Sequence, residues 1–217
     1  MGNHFFDNHT VRWELKYQRE QFKDFLNEWE LRDSAGYSVP GSNDGLRLSY
    51  TYNARLNTVS DRFSGYVKDD MVLHLPGGVL NLVYGLRASY WSFNDELIVS
   101  PRASVSYVPA GNADIRYRLA LGIYYQSPFY REIRNPEGEI NKTIRSQKSA
   151  QLLLGTDYYF LLGEQRFKFT AEAYYKHLTN LIPYQIDNVR IRYSGRNNAH
   201  GYATGVDMKI NGEFVPG

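Results

Sequence analysis

Leu80-Asn-Leu-Val-Tyr84-Gly-Leu-Arg-Ala-Ser-Tyr90 puts Leu80, Leu82, Tyr84, Leu86, Ala88 and Tyr90 at one parity and Asn81, Val83, Gly85, Arg87 and Ser89 at the other. Successive side chains of a strand point to opposite faces, so this segment has one face suited to lipid and one suited to water. That is the pattern of a transmembrane β-barrel strand. Seven more segments repeat it, giving eight in all: about His9 to Gln18, Arg62 to Leu75, Val79 to Phe93, Leu97 to Val108, Asp114 to Gln126, Lys148 to Leu161, Arg166 to His177 and Ala199 to Phe214. In the fifth, Ile115, Tyr117, Leu119, Leu121, Ile123 and Tyr125 oppose Arg116, Arg118, Ala120 and Gly122.

The connections alternate in length. Pro76-Gly-Gly78, Pro109-Ala-Gly-Asn112 and Leu162-Gly-Glu-Gln165 are tight turns on one rim, while Ser127 to Gln147 and Leu178 to Asn198 are long loops on the other. Arg19 to Leu56 reads as a further protruding loop that holds an extended hairpin, and Asn94-Asp-Glu96 is a short connection on that same rim. Outer-membrane barrels have this asymmetry of short inner turns and long outer loops. Outward aromatics gather near strand ends, at Tyr90, Tyr107, Tyr125, Phe160, Phe167, Tyr175 and Tyr202, where amphipathic rings suit the headgroup level. The charges of Arg87, Arg102, Arg116, Arg118, Asp157, Lys168, Glu172, Asp207 and Lys209 all fall on the opposite face. Two positions break the pattern. Asp69 sits among the outward residues of the second strand, which predicts a bulge or a shifted register, and Pro101 lacks a ladder N–H, which predicts a place near a strand start or a bulge.

Composition agrees. A chain with 42% apolar and 15% aromatic residues folds rather than staying disordered. No run of about 18 apolar residues offers a transmembrane helix, and a mean hydropathy of −0.52 is what alternating strands average to. There are no cysteines, hence no disulfide framework and no thiolate site. A net charge of +2, with acidic and basic residues interspersed, gives no footprint for nucleic acid. Met1-Gly-Asn-His-Phe5 has no basic stretch followed by an apolar one, so the expectation is a piece of a longer polypeptide whose export signal lies upstream.

Several of these strands resemble those of a known family. Arg62-Phe-Ser-Gly-Tyr-Val-Lys-Asp-Asp70, Ser100-Pro-Arg-Ala-Ser104, Phe167-Lys-Phe-Thr-Ala-Glu-Ala-Tyr-Tyr-Lys-His-Leu-Thr-Asn-Leu-Ile182 and Gly201-Tyr-Ala-Thr-Gly-Val-Asp207 are similar, in order and spacing, to successive barrel strands of TonB-dependent outer-membrane receptors. The resemblance implies an antiparallel transmembrane barrel of 22 strands around an N-terminal plug, importing a scarce nutrient with energy passed through a TonB box. A barrel of that size needs roughly 600 residues, so 1–217 would be one partial barrel domain, from the C-terminal barrel, with plug, TonB box and signal peptide absent from it. Implied partners are outer-membrane lipid and lipopolysaccharide, a small-molecule or oligomeric nutrient, the TonB complex by way of the plug, and a surface lipoprotein. The expected location is the outer membrane of a Gram-negative bacterium. Two other architectures fit the alternation: a self-contained eight-stranded outer-membrane barrel, and a soluble lipocalin-like ligand-binding protein whose apolar faces line a core.

No constellation for catalysis, for a metal or for a cofactor emerges. The sequence lacks Gly-x-Ser-x-Gly, His-Glu-x-x-His and phosphate-loop patterns, and His4, His9, His74, His177 and His200 are scattered. Asp69-Asp70 and Asp157 with Glu172 read as members of salt-bridge ladders rather than as an acid–base pair. Ligand recognition, in contrast, is expected in the long loops, where Tyr124-Tyr-Gln-Ser-Pro-Phe-Tyr-Arg-Glu-Ile-Arg134 and Tyr184-Gln-Ile-Asp-Asn-Val-Arg-Ile-Arg-Tyr193 mix aromatic faces with guanidinium groups. Tyr124, Tyr130, Arg131, Arg134, Tyr184, Arg190, Arg192 and Tyr193 are the candidates, suited to stacking on a sugar or chelating a carboxylate. The competing expectation is that these loops pack on each other and on lipopolysaccharide.

Overall fold

The computed structural model describes residues 1–32, 47–135, 138–187 and 190–212. Its strands are β1 Gly2–Phe6, β2 His9–Arg32, β3 Arg47–Leu75, β4 Gly78–Trp91, β5 Glu96–Pro109, β6 Ile115–Gln126, β7 Gln147–Leu162, β8 Gln165–Leu181, β9 Tyr184–Asp187, β10 Arg190–Tyr193 and β11 Ala199–Asn211. Nine of them form one antiparallel meander in the order β1-β2-β3-β4-β5-β6-β7-β8-β11, and β9 and β10 make a separate hairpin. The sheet is open: β1 and β11 are its edges.

Register carries the two-faced pattern across the whole sheet. Val11, Asp69, Tyr84, Ala103, Leu121, Leu152, Tyr175 and Thr204 lie in one cross-strand row. The next row reads Arg12, Lys68, Gly85, Arg102, Gly122, Gln151, Lys176 and Ala203. A slip of one residue in any strand would turn its charges into lipid, so the hydrophobic pattern itself specifies the pairing. On the polar face the expected salt-bridge ladder forms. Arg118 Nη2 donates to Glu172 at 2.6 Å and to Asp157 at 3.2 Å, while Lys168 reaches Asp157 at 3.2 Å and Thr170 donates to it at 2.8 Å. Gly155 lies between Arg118 and Glu172 in the ladder, and a Cβ there would stand 3.4 Å from both side chains.

Four expectations are revised. The extended hairpin expected between Arg19 and Leu56 is present, but it is not set off from the wall: β2 and β3 run on into it as strands of 24 and 29 residues, where a membrane-spanning strand takes about 9–11. The outward parity of β2 marks where it leaves lipid, because Trp13, Leu15 and Tyr17 give way to Arg19, Gln21 and Lys23. Tyr17 packs tilted against Phe63 with ring centroids 5.0 Å apart and donates to Asp61 at 2.8 Å, an apolar ring with a wet tip at that boundary. The hairpin's expected tip, Ser34–Gly45, lies outside the described residues.

No bulge accompanies Asp69. The β2–β3 and β3–β4 ladders pass through it in register, and the carboxylate stays on the apolar face, where His9 Nδ1 lies 2.6 Å and the Tyr84 hydroxyl 3.0 Å from Oδ2. Two partners from the flanking strands make an outward carboxylate tolerable. Pro101 sits inside β5, paired with Leu86, at the place where the β6 ladder stops: that ladder spans only Arg102 to Tyr107, so no N–H is required on its other side. Finally, β1 adds a ninth sheet strand, and the loop after β8 contains the β9–β10 hairpin. The ninth was hidden because Gly2-Asn-His-Phe-Phe6 is short and places its two aromatic residues side by side.

Candidate functional site

On the long-loop rim the molecule builds the apolar core that the wall lacks. Leu56, Trp91, Ile133, Ile144 and Ile182 are buried together, with Phe22, Phe93, Tyr130, Ile140 and Tyr193 packed around them. The loop 127–146 thus folds inward, over the polar face of the β2–β3 hairpin. Tyr130 stacks on Phe22 with centroids 4.4 Å apart and donates to Glu20 at 2.6 Å. Glu20 also accepts from Arg62 at 3.0 Å, and the Arg62 guanidinium lies 3.9 Å over the Trp91 ring. Burial, reinforced by the bond to Glu20, raises the Tyr130 phenol above its usual range.

The loop after β8 is tied to loop 127–146 by polar bonds. Asn141 donates to the Gly195 carbonyl at 2.8 Å, the Arg145 amide donates to Asn197 Oδ1 at 2.6 Å, and Asn197 Nδ2 donates to the carbonyls of Arg145 and Asn180, both at 2.8 Å. Gly195 adopts φ 64°, and a Cβ there would stand 2.7 Å from the Arg134 carbonyl. Both the conformation and the closeness demand glycine. Ser146 anchors the base of loop 127–146, its amide and hydroxyl both donating to Glu96.

Between these loops and the hairpin lies a cleft of about 420 Å³. Its walls are Asp24, Leu26, Glu28 and Tyr52 from the hairpin, Arg131, Arg134 and Asn135 from loop 127–146, and Arg190, Ile191, Arg192 and Tyr193 from β10. Arg134 Nη1 pairs with Asp24 at 3.0 Å, and Glu28 receives Arg190 at 3.1 Å and Arg192 at 3.7 Å. The fold therefore brings five of the eight sequence candidates, Arg131, Arg134, Arg190, Arg192 and Tyr193, to one place. The other three lie elsewhere. Tyr130 is beneath the cleft in the loop core; Tyr184, exposed on β9, sits 5.9 Å from the Tyr193 ring; Tyr124 faces the barrel interior with Arg102 stacked on it at 4.2 Å. Sequence reading passed over Asp24, Glu28 and Tyr52. The signal was present, since Asp24, Leu26 and Glu28 keep the parity of inward Arg12 and Glu20, but only if the strand is carried through into the hairpin.

Elsewhere the described residues contain no group of three or more His, Cys, Asp or Glu side chains arranged to hold a metal ion. Asp157 is paired with Arg118 and Lys168 and Glu172 with Arg118, and in the cleft Asp24 and Glu28 are paired with arginines.

Comparison with known proteins adds three findings. No curated protein matches the chain. Among solved structures, a variant of the ferric enterobactin receptor PfeA from Pseudomonas aeruginosa superposes with a TM-score of 0.61 at 15% identity, covering 92% of this chain and 30% of that one. The copper transporter OprC superposes with a TM-score of 0.60 at 14% identity, covering 98% of this chain and 34% of that one. The chain thus spans about a third of the length of these structures, and at such identities the likeness is one of fold. The sequence matches the family described as TonB dependent receptor-like, beta-barrel over residues 1–215. Nearly every residue falls within that match, and the antiparallel sheet with its two-faced rows has the strand pattern of such a barrel's wall: this chain belongs to the TonB-dependent receptor β-barrel family.

Proposed function

We propose that the chain is a wall segment of an outer-membrane importer of a Gram-negative bacterium, one that captures a scarce nutrient at the loop cleft and passes it inward past the charged face of the sheet. Membership of a receptor family supports the class of function. The observation that carries the site is the convergence of Arg131, Arg134, Arg190, Arg192 and Tyr193 from two separate loops onto one cleft at the long-loop rim. A complete barrel requires more strands to pair with the edges of β1 and β11, and a plug to fill it; the TonB complex would act through that plug. Lipid and lipopolysaccharide surround the apolar face, and a surface lipoprotein would cover the loops from outside. The nutrient class spans siderophore, vitamin, oligosaccharide and peptide. We assign no catalytic step to the chain.

The test is growth under nutrient limitation of cells carrying the full-length protein, with residues 182–198 intact or replaced by a short turn. The expected result is loss of growth promotion with outer-membrane insertion retained, and the same loss when the TonB complex is removed. Uptake that survives both changes overturns the proposal.

A further inference from the structure

Two arginines of the cleft, Arg131 and Arg134, carry donors that Asp24 and Glu28 leave unmet. Four arginines face Asp24 and Glu28. Asp24 and Glu28 account for Arg134 Nη1 and for one contact each from Arg190 and Arg192. Arg131 is exposed and has no hydrogen bond or ion pair among the described residues. Arg134 is the sharper case. Its side chain is only 7% exposed, and although Nη1 is paired, Nε and Nη2 have no partner at all. An unmet guanidinium edge in a buried place is costly, because donors stripped of water regain nothing in return. Such an edge is two parallel N–H groups, which matches the two oxygens of one carboxylate. Tyr52 and Tyr193 supply flat apolar surface beside it.

Resting on the reading of the cleft as the capture site, we propose that its ligand is a small organic acid: a carboxylate received by the Nε–Nη2 edge of Arg134, a second anionic group met by Arg131, and a planar body against Tyr52 and Tyr193. A cavity of about 420 Å³ suits a compact ligand of this class rather than a protein or a long polymer. The unmet donors of Arg131 and of the Arg134 Nε–Nη2 edge favour an anion over neutral sugars and cationic peptides.

The test uses the full-length receptor in detergent, with benzene-1,3,5-tricarboxylate as probe and its neutral triamide as the isosteric control, measured calorimetrically. The tricarboxylate is expected to bind and the triamide to bind at least tenfold more weakly. R131Q, which removes no hydrogen bond or ion pair among the described residues, and R134Q should each weaken the tricarboxylate by about tenfold or more. R134K keeps the charge near Asp24 but loses the two-pronged edge, so it should resemble R134Q in binding while leaving the loops as resistant to protease as in the parent. R166Q, on the far rim, should bind like the parent. Absence of tricarboxylate binding at millimolar concentration, equal affinity for the triamide, or unchanged affinity in R131Q together with R134K overturns the inference. So does inorganic phosphate competing as well as the tricarboxylate, since it would show a cleft that reads charge alone. The outcome is separable from that for import: binding without energised uptake sinks the importer and spares the acid cleft, and uptake unaffected by R131Q and R134K does the reverse.

Discussion

The wall and the loop rim solve the folding problem in opposite ways. In the wall, Leu121, Leu152, Leu154, Val206 and Met208 remain exposed on the surface of the sheet, while charges such as Asp157 are buried on the other face among Arg118, Lys168 and Thr170. On the rim the order is reversed: Ile133 and Ile144 are fully buried and the arginines line a cleft. The difference is one of solvent. Lipid takes up the wall's apolar face, so no core is needed there, whereas water surrounds the rim and forces its loops to bury apolar area against one another.

This contrast can be broken, and the largest effect is expected on the rim. Trp91 touches Phe93 and Tyr130, carries Arg62 on its ring and donates to Ser60 at 3.2 Å. Trp91→Ala should destabilise the loop core by about 3–5 kcal/mol, exposing loop 127–146 to protease while the barrel still assembles. Failure of membrane assembly in that variant would mean that wall and rim fold as one unit. Next comes the wall. Leu121→Arg places a charge on the lipid face at a cost of about 2–4 kcal/mol near mid-membrane, against little for inward Ala120→Ser. Equal yields of heat-modifiable folded protein from the two variants would reverse the facing of the sheet.

Smaller effects sharpen the boundary. His9→Leu leaves Asp69 with Tyr84 as its remaining side-chain partner on the apolar face, and should lower barrel stability by about 1–2 kcal/mol in urea titrations of the assembled protein. The double change with Asp69→Leu should recover most of that loss, because the carboxylate is the group left unsatisfied. The smallest effect is a pH dependence of the rim alone. The raised Tyr130 phenol means that the folded loops favour the protonated form, so its contribution is full below the ordinary tyrosine range near pH 10 and is lost as pH rises through the higher folded value. Loop protection from protease should therefore fall in that alkaline window, and Tyr130→Phe should flatten the dependence.

The sequence was most legible where one residue's neighbour two positions away shares its solvent. Eight alternating segments, their facing, the salt-bridge ladder around Asp157 and the placement of long loops on one rim could all be read from parity. Asp69 was misjudged because parity says nothing about partners on adjacent strands: only the ladder reveals that His9 and Tyr84 flank it. The continuity of the hairpin above Tyr17 with the wall was missed for a related reason. Above Tyr17 the outward residues mix Arg19, Gln21 and Lys23 with Phe25 and Trp29, so the alternation loses contrast and the hairpin reads as separate from the strands it continues.

By itself, then, the sequence determined the class of structure and the orientation of each strand, because lipid on one side and water on the other impose a period of two that any single strand displays. Tertiary structure alone decided the cleft. Asp24, Arg134 and Arg192 lie far apart in the chain and meet only because loops 127–146 and 182–198 fold over the polar face of the β2–β3 hairpin, fastened by Asn141 and Asn197 and admitted by the bare Cα of Gly195. Contacts of that kind depend on how apolar side chains from separate loops fill one shared volume, and no local period encodes that.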